Sequence, residues 1–81
     1  LSWSVELEVS GDVGGLRLGW ETEVGVSERG RTLLRVQIRE DPAELVPVIL
    51  SELRSKGVQV LSVSVREPTL EEAFVRAVEG S

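Results

Sequence analysis

Glu67, Glu71 and Glu72 are the side chains whose type and spacing could do chemistry, because carboxylates close together can share general acid and base roles. On a helix, however, adjacent residues point about 100° apart. In a first turn acids are favoured by the helix dipole for structural reasons alone. The chain has no His or Cys, and no evident nucleophile converges with these acids. They read as residues of a helix start, and a hydrolase using Glu67, Glu71 or Glu72 is the least favoured function.

Two other stretches invite a chemical reading. Gly11-Asp12-Val13-Gly14-Gly15 resembles a phosphate loop only in glycine content, since it lacks the Gly-Lys-Ser/Thr ending that brings charge to a nucleotide. It reads as a connection. Nowhere does the chain carry a Walker A motif, so this domain is not expected to bind or hydrolyse ATP by itself. Arg29, Arg31, Arg35 and Arg39 form the basic concentration, the last three on one face of a strand. Glu21 and Glu23 are expected to neutralise that face, with docking of an acidic partner as the rival reading. No aromatic residue accompanies these arginines, which argues against RNA binding on a sheet face.

Composition narrows the classes further. With no Cys, His, Met or Tyr, the chain cannot form disulfides, use thiolate or imidazole catalysis, or offer the usual zinc and haem ligand sets. Nine basic and fourteen acidic residues give a net charge of -5, which disfavours a nucleic-acid partner. Eighty-one residues make one domain, of a size that buries only about 60% of its unfolded surface. No apolar run approaches the roughly 20 residues that span a bilayer.

The elements that must position these residues follow from periodicity. Trp3, Val5, Leu7 and Val9 alternate with polar residues, as in a strand with one buried face. After the glycine cluster, Leu16 to Val26 alternates again, with a bend expected at Gly19. Ser27 to Arg31 is a turn with Gly30 at positive φ, and Thr32 to Arg39 resumes the alternation, so the two segments read as a hairpin. Asp41-Pro42 supplies an N-cap and an N1 proline for a helix running to Lys56-Gly57, with Val46, Ile49, Leu50 and Leu53 on its apolar face. Pro47 inside it predicts a late start or a bend in the first turn. Val58 to Val65 is the last strand, and Leu70, Ala73, Phe74, Ala77 and Val78 mark a last helix. Trp3, Trp20 and Phe74 are each expected to bury a large share of the core. The order predicts an α+β domain, an antiparallel sheet of about four strands with two helices on one face.

The junction between that strand and that helix carries the strongest local signal. Thr69 and Glu72 stand at capping-box spacing, and Pro68 keeps Glu67 extended so that the strand ends there. Arg66, Glu67, Pro68, Thr69, Leu70, Glu71, Glu72 and Phe74 resemble the closing motif of the C-terminal accessory domain found in ATP-binding subunits of ABC exporters of the drug and antibiotic efflux type. The resemblance extends through the helix and strand from Asp41 to Val65 and is weak over the first half.

This resemblance implies that residues 1–81 are a single accessory domain from the C-terminus of a longer ATP-binding protein. It implies a ferredoxin-like sheet, although the glycines from Gly11 to Gly19 make the first crossover helix short or missing. It implies a non-catalytic role in subunit assembly or in regulating ATPase coupling during export. Glu67, Pro68, Thr69, Leu70, Glu71, Glu72 and Phe74 would form the interaction motif. The implied partners are the chain's own nucleotide-binding domain, a second ATP-binding subunit and a membrane-spanning subunit. ATP and Mg would belong to the parent protein, with no cofactor in this domain, at a cytoplasmic location peripheral to the membrane. The alternative is a small-molecule-sensing regulatory domain of ferredoxin-like type.

Overall fold

The computed structural model describes residues 2–67. Four strands and one helix occur among them: β1 (Trp3–Ser10), β2 (Glu21–Val26), β3 (Thr32–Ile38), α1 (Pro42–Ser55) and β4 (Gln59–Arg66). The strands form one sheet in the order β2-β3-β1-β4, and each neighbouring pair is antiparallel. The expected last helix, with Thr69, Leu70, Glu71, Glu72 and Phe74, lies outside the described residues.

Alternation in β1 and β3 decides which face of the sheet is dry. Val5, Leu7 and Val9 pair with Val36, Leu34 and Thr32, and the valines and leucines among them are buried together with Ile38. Ile49 and Leu53 of α1 close this core from above, joined by Val58. No polar or charged residue is buried among the described residues, so the core demands no internal hydrogen-bond partner.

The helix starts at Pro42 and does not start late. Asp41 is its N-cap, with Oδ1 accepting from the Ala43 N–H at 3.0 Å, and Pro47 sits within it. Pro47 removes one intrahelical bond, the one to the carbonyl of Ala43, and Ala43 lies on the exposed side where water can serve that oxygen. Burial of Ile49 and Leu53 holds the rest. At the other end, Gly57 takes φ 78, its N–H donates to the Arg54 carbonyl at 3.1 Å, and the Val58 N–H donates to the Leu53 carbonyl at 2.9 Å. This is the Schellman arrangement, completed by the buried pair Leu53 and Val58. Val58 is spent on that stop, so β4 begins one residue later than its apolar character suggests.

The first crossover is irregular. Residues 11–20 contain no strand or helix, so the extended segment expected from Leu16 shortens to β2 at Glu21. Val13, Leu16, Leu18 and Trp20 pack against the edge of the core as partly buried loop residues instead of pairing in the sheet. Gly11 opens the loop at φ 110, and a Cβ there would stand 3.3 Å from the Gly57 carbonyl oxygen. Close approach of two turns, not loop flexibility, requires that glycine. Trp3 and Trp20 pack against the core as expected, but only half-buried. They stand at a strand end and a loop end, and the large indole is seldom enclosed completely.

Candidate functional site

The polar face of the sheet is where the charged residues meet. Glu23 on β2, Arg35 on β3, Glu6 on β1 and Arg66 on β4 form a ladder across all four strands. Strand register makes it, since Glu23 and Glu6 each stand directly opposite Arg35. Glu6 Oε1 lies 3.5 Å from Arg35 Nε and 3.4 Å from Arg66 Nε, while Arg35 Nη1 reaches Glu23 Oε2 at 4.0 Å. Arg31 Nη1 donates to Glu8 Oε2 at 3.4 Å beside it. Gln37 donates to Ser4 Oγ at 2.8 Å and accepts from Ser2 Oγ at 3.1 Å, which extends the network toward the start of the chain.

Of the basic concentration, then, Arg31 and Arg35 are engaged, and the acids that engage them are chiefly Glu8 and Glu6. The expectation of Glu21 and Glu23 is corrected in part: Glu23 takes part at the longest distance, and Glu21 stands opposite Gln37. The signal for Glu6 and Glu8 lay in the alternation of β1, which puts both on its polar face. It becomes readable only with the pairing of β1 to β3.

Among the interaction-motif residues, Glu67 is exposed just beyond the end of β4. Pro68, Thr69, Leu70, Glu71, Glu72 and Phe74 lie outside the described residues. Arg66, the first residue of the motif and the last of β4, pairs with Glu6 at 3.4 Å. The glycine cluster has the build of a connection. Asp12 Oδ1 accepts from the Gly14 N–H at 2.8 Å, and the Leu16 N–H donates to the Val13 carbonyl at 3.0 Å, so an acid and a carbonyl already occupy N–H groups that a phosphate would need. No group of three or more metal-ligating residues forms among the described residues.

Apolar surface was the feature sequence reasoning missed. Val24 and Val26 of β2 are 61% and 74% exposed, and Val63 and Val65 of β4 are 39% and 42% exposed. All four lie on the face that carries the core, because Val24 pairs with Leu34, Val63 with Leu7 and Val65 with Val5. Between α1 and β4 runs a shallow groove lined by Leu50, Arg54, Gly57, Val58, Gln59 and Val60. Among the described residues, α1 covers the middle of this face, through Ile49 and Leu53. No helix among the described residues is long and apolar enough to cross a membrane. No family model, curated protein or solved structure matches the chain.

Proposed function

We propose that this chain is a non-catalytic accessory domain of an ABC exporter's ATP-binding subunit, acting by contact in subunit assembly or in coupling of the ATPase to export. The fold half of the reading rests on the strand order β2-β3-β1-β4, antiparallel throughout, with α1 joining β3 to β4. That order is the one a ferredoxin-like sheet would have, with residues 11–20 standing where its first helix would be. Together with the motif from Arg66 to Phe74, it supports an accessory domain over an isolated sheet fragment. Fold alone does not assign function, so the motif bears the functional half of the argument.

In this reading the domain stays on the cytoplasmic side, where its own nucleotide-binding domain, a second ATP-binding subunit and a membrane-spanning subunit are the contacts. ATP and Mg act in the parent protein. Leu70, Glu71, Glu72 and Phe74 belong to the contact segment, and the polar ladder holds the strand from which that segment leaves. Phe74→Ala in the parent protein is expected to lower recovery of the assembled transporter complex at a temperature where the isolated variant domain is still folded by circular dichroism. Full assembly with the folded variant would overturn the role given to the motif.

A further inference from the structure

We propose that β2 is a self-pairing edge, which takes β2 of a second copy of this chain antiparallel to itself in a register centred on Val24. Among the described strands β2 is the outermost, with β3 on one side. The Ser27 N–H donates to the Arg31 carbonyl at 2.8 Å where the hairpin closes. Backbone groups alternate in direction along an antiparallel strand. Glu21, Glu23 and Gly25 therefore turn their backbone groups toward β3, and Thr22, Val24 and Val26 turn theirs outward. Val24 and Val26 are also the two most exposed large apolar side chains of the described residues.

Of the usual edge protections β2 has its short length and two acids, Glu21 and Glu23, and lacks the others. β2 contains no proline or lysine and pairs with β3 without a bulge. β4, the opposite edge, differs: its register shifts between Glu8 and Val9, leaving Leu61 without a partner, and it ends in Arg66. Such a bulge twists an edge away from further pairing.

Charge selects the register. Centred on Val24, the pairing sets Val24 against itself, Thr22 against Val26 of the second copy, and Glu23 against Gly25. Every outward N–H and C=O from Thr22 to Val26 then has a partner, and no two charges stand opposite. Centring on Glu23 would set two carboxylates face to face. Centring on Gly25 would run the pairing into Glu28 of the hairpin turn. A shift of one residue would put the valines on the polar side. One short strand with two valines per copy is well below the roughly 1,200 Å² of a stable interface, so the pair forms at high concentration or where two copies are held close. This inference stands apart from the reading of the C-terminal motif.

Sedimentation of the full chain from micromolar to millimolar concentration tests it. A reversible dimer is expected, and Val24→Lys, at an exposed site, should raise its dissociation constant at least about tenfold by placing two ammonium groups opposite each other. Because the chain has no cysteine, Val24→Cys supplies a second readout. It should cross-link between copies under mild oxidation much faster than Glu21→Cys. A monomer at millimolar concentration, a dimer indifferent to Val24→Lys, or equal cross-linking at positions 24 and 21 would each overturn the proposal.

Discussion

Glu6 joins the two halves of the polar face, since its single oxygen Oε1 faces both Arg35 and Arg66 and its side chain is only 17% exposed. Exposed ion pairs contribute little, but a half-buried carboxylate between two guanidinium groups is a small network. Glu6→Gln is expected to cost about 1 kcal/mol in urea unfolding, and the loss should shrink in about 1 M salt. A loss that salt leaves unchanged would mean that packing, not charge, holds Glu6. Gly11 makes the sharper case. At φ 110 and with the Gly57 oxygen 3.3 Å from any added Cβ, Gly11→Ala should lower stability by roughly 1 to 3 kcal/mol, readable as a drop in melting temperature. The glycine was visible in the sequence as a breaker, but the turn it approaches lies far along the chain, and only the fold brings the two together.

At the scale of elements, alternation served well wherever one face of a strand is buried. β1 and β3 repeat every second residue and lie in the middle of the sheet. The segment from Leu16 to Trp20 alternates too, yet it is loop, because its apolar residues can reach the core margin without joining the ladder. Period alone does not separate those outcomes. The helix was legible through Asp41, Pro42 and Gly57, whose roles are local. Of the two outcomes expected from Pro47, the late start does not occur, because its cost depends on whether the freed carbonyl meets water. Pro47→Ala is therefore expected to stabilise the domain by roughly 1 to 2 kcal/mol, less than the full penalty of about 3 kcal/mol for a helix-interior proline. Asp41→Ala should cost about 1 kcal/mol through loss of the cap. Both changes are read from denaturant midpoints at constant m.

At the scale of the whole molecule, the described core rests on few large side chains, with Ile49 and Leu53 its buried contribution from α1. Leu53 joins the core, the helix stop and the contact with Val58, so Leu53→Ala is expected to cost about 2 to 5 kcal/mol. A domain this small has about that much stability in total, and the variant should be largely unfolded at 25 °C by circular dichroism. The charged face was half legible from the sequence: the arginines were found, and their true partners waited on the register of β1 against β3. The exposure of Val24 and Val26 was not legible, because a strand pattern says which face is apolar but not how far α1 reaches across it. The proposed place of this domain in a larger ATP-binding transport subunit can be checked with an antibody against it, used to blot soluble and membrane fractions of the source cells. A band well above 8.9 kDa, partly membrane-associated and retained on ATP resin, is expected. A soluble band of 8.9 kDa alone, with none retained, would contradict it and favour the small-molecule-sensing domain.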